Sequence, residues 1–305
     1  RQVSEWETMM KSPWEIRVLE TPDEIAAVEE LQRLVWPGSD LDVTPAHVLL
    51  TAAHNGGLVL GAWMEGHLIG FLFGFLGLDA RVTPPRLKHC SHMLGVHPAW
   101  RDAGVGFALK RAQWQLVRHQ GIDLITWTYD PLLSRNAHLN IHKLGAVCDT
   151  YLENLYGAMR DSSNAGLPSD RFQVDWWVAS RRVERRLSRD APPPPSFADY
   201  AAAGVPILNP AVFGDDGWPR PGETVIDLPE SGDRCFVTAL VEIPADFPAL
   251  KSADSALALA WRLHTRALWQ DLFARGFLVI NFVHTPGPPA RSFYVVYRSQ
   301  CGSAP

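Results

Sequence analysis

Leu94 to Gly106, LGVHPAWRDAGVG, is the stretch whose reading decides the fold. It reads as a strand closed by Pro98, a turn through Arg101, Asp102, Ala103, Gly104, Val105 and Gly106, and then a helix. Apolar residues at Val105, Ala108, Leu109, Ala112 and Leu116 fall on one face of that helix. Gly104 and Gly106 lack a Cβ, so an anion can reach the backbone N–H groups at the helix start. Glycine turns of this kind also serve packing alone, and six residues do not separate the two readings. No Lys-Ser or Lys-Thr follows the last glycine, which excludes a P-loop. The three-glycine spacing of a dinucleotide fingerprint is absent as well.

Upstream, Trp14–Leu19 reads as a strand. Thr21, Pro22 and Glu24 supply an N-cap, a first-turn proline and a capping box. The helix they open points Ile25, Val28, Leu31 and Val35 inward and stops at Pro37-Gly38. A short helix is expected over Pro45–Ala53. Strands Leu58–Met64 and His67–Leu78 are joined by Glu65-Gly66, a hairpin signal. LIGFLFGFLGL, Leu68–Leu78, is too short to span a membrane and reads as a buried strand. Strand Leu87–Val96 leads into the glycine turn. Downstream come strand Leu124–Tyr129, helix Arg135–Leu144 capped by Gly145, and strands Val147–Leu155 and Phe172–Ala179.

Arg181–Arg189 is a basic run that reads as a solvated helix, with a phosphate-facing surface as the alternative. Pro192–Pro195 is a stiff spacer. Residues 1–190 are therefore expected to form a first domain, 191–196 a proline-rich linker, and 197–305 a smaller α/β domain. In the last, strand Cys235–Ile243, helix Ser252–Arg275 and strands Phe277–Val283 and Ser292–Tyr297 repeat the core order of the first half. This reads as a degenerate second copy without a glycine turn, so no nucleotide is expected there. Leu257, Trp261, His264, Leu268 and Leu272 mark the buried stripe of its helix.

The chain has 305 residues, 47% of them hydrophobic, enough for a normal core. Net charge −5 argues against a nucleic-acid binder. Four widely spaced cysteines without a C-x-x-C pair point to a reducing compartment rather than disulfides or structural zinc. With no signal core and no run of membrane-spanning length, a cytoplasmic protein without membrane contact is expected.

Val96, Pro98, Arg101, Gly104 and Gly106 match V-x-P-x-x-R-x-x-G-x-G, and Arg135-Asn136-Ala137 through Lys143-Leu144-Gly145 match a later block ending in K-L-G. These two blocks, in this order of elements, resemble the GNAT superfamily of acyl-CoA N-acyltransferases over about Glu15 to Ser180. WTYDPLLSRNAHLNIHKLGA and LPSDRFQVDWW look like a branch of acetyltransferases with an extra C-terminal domain. The resemblance implies an α/β (α+β) fold: a mixed, mostly antiparallel central sheet flanked by helices. It implies acetyl-CoA or another acyl-CoA as co-substrate. Backbone amides of Arg101, Asp102, Ala103, Gly104, Val105 and Gly106 would hold its pyrophosphate. Leu94, Gly95 and Val96 would line its pantetheine arm as an added strand, and Asn136 would contribute from the later block. A backbone amide would polarise the acyl carbonyl, and the amine would attack the thioester directly.

The base implied is His92, by analogy with a histidine some members carry there; a histidine satisfied within the sheet is the alternative. Asp130 is the second candidate base, with helix capping as its alternative. The resemblance breaks at the acid: Ile141 stands where many members have tyrosine, and Ser134 where asparagine is frequent. Asn140, a water or Tyr129 remain candidates, or the thiolate leaves unaided. His89, His97, His138 and His142 read as surface or capping residues, and no metal site is expected from them. The acceptor expected is a small-molecule amine, bound by the first two helices and the Gly38–Thr44 loop with Asp40 and Asp42. A homodimer is an allowed assembly. An acyl-CoA binder without turnover, or an interaction protein using a Trp-rich C-terminal unit, are the competing readings.

Overall fold

The computed structural model describes residues 13–38, 40–157, 166–188, 190–225 and 236–299. Arg189, Cys235 and Cys301 lie outside the described residues. The chain forms two compact units, one ending at Thr126 and one starting at Trp127.

The first unit runs β1 (Glu15–Val18), α1 (Pro22–Val35), α2 (Ala46–His54), β2 (Leu58–Met64), β3 (His67–Asp79), β4 (Arg86–Val96), α3 (Val105–His119) and β5 (Leu124–Tyr129), whose last three residues belong to the second unit. The strands lie in the order β1-β2-β3-β4-β5. All neighbours are antiparallel except β4 and β5. The capping box forms as the sequence predicts, with the Thr21 hydroxyl accepting from Glu24 N–H. Glu65 and Gly66 both adopt positive φ, 49° and 81°, which suits a tight hairpin between right-twisted strands.

β2 and the middle of β3 are apolar at successive positions because both faces are covered. Val59, Phe71 and Phe73 pack under Ile25, Val28, Leu31 and Leu49. Leu60, Ala62, Ile69 and Leu72 pack with Val105 and Leu109. The expectation that all of Leu68–Leu78 is buried is corrected: Phe75 is 37% exposed and Leu78 61%. β2 pairs with β3 only as far as Leu58↔Gly74, and beyond that β3 continues as a ribbon with β4 alone.

The second unit runs from the end of β5 through α4 (Ser134–Ala137), a π-helical turn (His138–Lys143), β6 (Val147–Leu152), β7 (Arg171–Trp177), α5 (Arg181–Leu187), α6 (Phe197–Ala202), β8 (Val212–Phe213), β9 (Pro219–Arg220), β10 (Phe236–Ile243), α7 (Phe247–Ala253), α8 (Ser255–Ala274), β11 (Leu278–Thr285) and β12 (Arg291–Ser299). Five of its strands take the order β7-β6-β11-β12-β10, antiparallel wherever a register is formed. A mixed, mostly antiparallel α/β arrangement is thus the fold. One face carries Leu240, Val283, Phe293 and Val295 with Phe197 and Ile207 around them. Aromatic rings fill the rest: Phe172 meets Trp269 at 4.9 Å and Tyr294 at 5.4 Å.

Three local readings change. The helix expected over Arg135–Leu144 is one α turn that widens into a π turn, with Leu144 N–H donating to Leu139 O. The single helix expected over Ser252–Arg275 is two, because the Asp254 side chain caps the second by accepting from Leu257 N–H. The basic run is not a solvated face throughout. Arg182 donates to the Gly145 and Ile280 carbonyls and Arg186 to the His142 carbonyl, so both satisfy backbone groups where the π turn ends.

Candidate functional site

In the first unit the site is built on β4 and the turn after it. The register of β4 with β3 runs Phe73↔Met93 and then Gly74↔Ser91, so His92 is the extra residue of a β-bulge. The bulge flips the alternation of the strand. Ser91 faces α3, where its hydroxyl bonds Gln113. Leu94 and Val96 also pack on the α3 side, whereas Met93 packs among the α1–α2 residues. His92 shares the face of Met93, its ring 6.0 Å from that of Phe73 and 5.8 Å from that of Phe75. These rings strip water from one flank and lower its pKa, while the rest of the side chain is exposed. It is a neutral imidazole at neutral pH, with no side-chain bond among the described residues.

Beyond the bulge, His97 N–H donates to Ile69 O at 2.9 Å. By two-residue alternation Gly95 faces β3, and the backbone groups of Leu94 and Val96 face the opposite edge. Within this unit and among the described residues, the ladder to β5 consists of His89↔Ile125 and Cys90↔Thr126 and goes no further. The far edge of Leu94–Val96 is therefore left by the first unit as a strand edge. Gly95 is glycine for the fold: a Cβ there would lie 2.5 Å from the Phe71 ring.

The chain then makes a 3-10 turn, Pro98–Trp100, capped by His97 Nδ1 accepting from Ala99 N–H at 3.2 Å. Arg101 leans back on α1, its guanidinium 3.5 Å from Val35 O. Asp102 at φ 66° and Gly104 at φ 92° bend the chain into α3, with Gly104 as the N-cap. The two glycines have different causes. Gly104 is required by its positive φ. Gly106 has an ordinary helical backbone, and a Cβ on it would meet only Leu94 and Val96 at 3.7 Å, an ordinary contact. Neither conformation nor packing asks for glycine at 106, the second residue of α3. The turn is exposed, and α3's own bonds begin with Ala108 N–H to Gly104 O. The N–H groups of Val105, Gly106 and Phe107 thus have no intrahelical acceptor.

A cavity of about 560 Å³ in this unit is lined by Leu31, Leu34, Leu68, Ile69, His97 and Trp100 among others. It flanks α1 and does not include the Gly38–Thr44 loop. His89, expected at the surface, is fully buried, and neither ring nitrogen finds a partner. Burial and the nearby Lys110 lower its pKa to about 4.

The second unit holds the other candidates. Asp130 follows β5 with both oxygens engaged: one accepts from Leu132 N–H at 2.9 Å, the other from Arg262 at 2.5 Å. Tyr129 is buried and its hydroxyl is 3.1 Å from that of Tyr294, which donates to Pro131 O. Burial raises the pKa of both phenols well above the usual value, so both keep their protons. Asn136 is half-buried on α4, Asn140 is buried in the π turn, and Ile141 is wholly within the core. His138 and His142 stack at 4.8 Å. Burial, with His142, Lys143 and His284 nearby, lowers the His138 pKa to about 4. Sequence reasoning missed that Ser134 meets Ser292, which in turn meets His284, because the last two come from a distant hairpin. Among the described residues no group of histidine, cysteine or acid side chains could hold a metal ion, and no helix is long and apolar enough to cross a membrane.

No family model and no curated protein sequence matches the chain. Solved structures similar to it are acetyltransferases. The ribosomal-protein-S18-alanine N-acetyltransferase of Escherichia coli is 15% identical, with TM-score 0.43, covering 55% of this chain and 95% of that one. A GNAT-family acetyltransferase of Desulfovibrio desulfuricans is 16% identical, with TM-score 0.43, covering 54% and 99%. An acetyltransferase of Salmonella typhimurium, solved with its cofactor acetyl-CoA, is 17% identical, with TM-score 0.41, covering 60% and 99%.

Proposed function

We propose that this chain is an acyl-CoA-dependent N-acyltransferase, moving an acetyl group from acetyl-CoA to a primary amine of a small molecule by direct attack. The observation that carries the reading is Gly106: a glycine the fold does not require, beside N–H groups at the start of α3. The pyrophosphate is assigned to the backbone of Arg101–Gly106, and the pantetheine to the edge of Leu94–Val96, with Asn136 contributing from α4. Depressed by its aromatic flank, His92 is in the form that accepts a proton from an ammonium. Asp130 is second to it because its oxygens are already engaged. Asn140 remains the proposed polar contact for the sulfur.

Isothermal titration of the full chain with acetyl-CoA tests the reading. Gly104→Asp is expected to abolish binding, because it adds a side chain and a like charge at the phosphate position. Unchanged affinity refutes the assignment. His92→Ala is expected to lower turnover roughly a hundredfold without weakening acetyl-CoA binding. A second reading, an acyl-CoA binder without turnover, is favoured by Ile141, a buried alkyl group where an acid is frequent. Binding without thiol release would select it.

A further inference from the structure

We propose that the cavity between α1, the β2–β3 hairpin and the turn after β4 binds a small organic cation with an apolar body, its positive charge held by Glu65. All the walls of this cavity belong to the first unit. Ala27, Leu31 and Leu34 share one face of α1 and form one wall. Leu68 and Ile69, at the start of β3, form a second, and Trp100 of the 3-10 turn a third. The volume, about 560 Å³, falls within the range of small-molecule pockets, roughly 300–1,000 Å³. Leu34 is 55% exposed while it lines this concave apolar surface, and a bound apolar body covers it.

The polar groups of the lining set the sign of the ligand. They are Glu30, Glu65, His67 and His97, with no lysine or arginine among the described residues. Glu30 is 2.7 Å from the Arg33 guanidinium, so its charge is already met. The Glu65 carboxylate has no hydrogen bond or ion pair among the described residues. It sits in the tight hairpin turn, which holds its backbone at the rim of the cavity. An ammonium group there gains a carboxylate, and the body attached to it gains the leucine wall and the Trp100 ring, an aromatic surface that also attracts cations. An anion meets like charge at the same place.

This cavity is separate from the groups assigned above. Phe73, whose ring flanks His92, is four residues along β3 from Ile69, about 13 Å in an extended strand. None of Leu94–Val96 or Arg101–Gly106 lines the cavity. The cation site therefore stands independently of the acyltransferase reading.

Isothermal titration of the full chain at low ionic strength with 2-phenylethylamine, 2-phenylethanol and 3-phenylpropanoate is the test. The three probes share a ring and a short chain and differ in charge. The amine is expected to bind with a Kd on the order of 1 mM or tighter, the alcohol more weakly and the carboxylate weakest. Glu65→Gln is expected to weaken the amine about fivefold, the worth of one exposed ion pair, and to leave the alcohol unchanged. Leu34→Lys places a cation on the exposed wall and is expected to abolish amine binding. Both positions are exposed, so both variants are expected to keep the wild-type Tm. His92→Ala is expected to bind the amine as wild type does. Equal affinity for the three probes, or no binding of the amine, overturns the proposal. So does amine affinity that is unchanged in both Glu65→Gln and Leu34→Lys. Amine binding kept in Leu34→Lys but lost in His92→Ala puts the amine beside His92 and overturns it as well.

Discussion

The polar groups under α3 in the first unit and those around α8 in the second are buried in opposite ways. Under α3, the first unit holds Lys110, which donates to Ser91 Oγ at 2.7 Å and Gln113 Oε1 at 3.3 Å, both neutral oxygens. Beside them His89 is buried with no bond to either ring nitrogen. It lies against Gly74, where a Cβ would come within 2.2 Å of its Nε2. Loss of water holds the Lys110 pKa well below its usual value. The second unit instead buries ion pairs. Arg262 meets Asp130 at 2.5 Å, and Asp170 takes two bonds from Arg266 at 2.9 Å each. Histidine and lysine escape the cost of burial by giving up a proton. A guanidinium does so far less readily, so a buried arginine needs a carboxylate folded in beside it.

That contrast breaks most visibly at Asp170. It is fully buried; burial works to raise its pKa, but hydrogen bonds from Arg266 and Tyr151 outweigh this and hold it below the ordinary value. Asp170→Ala takes two of the bonds of Arg266, which keeps the one to Glu153, and removes the acceptor of the Tyr151 hydroxyl and of Asn154 N–H. Removing one partner of a fully buried pair costs about 3–5 kcal/mol; with Arg266 still paired to Glu153 the loss is expected at the lower end of that range, to be read as a fall in the denaturant midpoint. Replacing both partners, as in Asp170→Ala with Arg266→Met, is expected to return much of that loss. If the single variant unfolds at the wild-type midpoint, the pair is not holding the second unit together.

The next effect belongs to the first unit and has a sign. His89 has a folded pKa of about 4 against an ordinary 6.5, so the folded state favours the neutral ring. As pH falls from 6.5 toward 4, the unfolded chain takes up a proton that the folded chain refuses. Stability is therefore full above about pH 6.5 and is lost through that window, by about 3 kcal/mol at the acid end. His89→Leu removes this contribution. Its stability is expected to change less between pH 7 and pH 4 than that of wild type. Parallel curves for the two proteins would show that His89 is hydrated or paired after all.

The same contrast marks what the sequence could and could not reveal. The Thr21–Glu24 capping box, the Glu65-Gly66 hairpin and the strand–turn–helix around Gly104 were legible, because each is written in consecutive residues. His89 was not. It reads as a surface residue until the bulge at His92 is known, and that bulge shifts the phase of β4 and turns Ser91 and His89 toward α3. The face of α8 was only partly legible. Trp261, Leu268 and Leu272 are buried as the stripe predicts, but Arg262 and Thr265 join them in place of Leu257 and His264. An arginine is turned inward there by Asp130, whose distance along the chain hides the pairing. The inward contacts of the α5 arginines, read as a solvated or phosphate-facing run, were hidden for the same reason, since their acceptors are carbonyls of other elements.

The smallest effect sharpens the comparison furthest. Lys110 is buried on α3 among neutral oxygens, and Ser91 Oγ already donates to Gln113 Oε1 at 3.0 Å. Lys110→Met keeps the length of the side chain and removes only the amine. If Lys110 is buried uncharged, this exchanges a weakly bonded polar group for an apolar one, and above about pH 10.4, where the unfolded lysine is uncharged too, it is expected to change stability by no more than about 1 kcal/mol, in either direction. The pH sign is also fixed: a folded-state lysine pKa below the ordinary value destabilises the fold as pH falls below that value. The variant is therefore expected to gain on wild type toward acid pH, where the unfolded lysine holds a proton the folded one refuses. If Lys110 instead keeps its charge, the variant also relieves His89, whose pKa that charge helps to depress, and the acid loss assigned to His89 shrinks in the same variant. A loss as large as that of Asp170→Ala would mean that Lys110 is charged in the fold, and that the layer under α3 buries an ion as the region around α8 does.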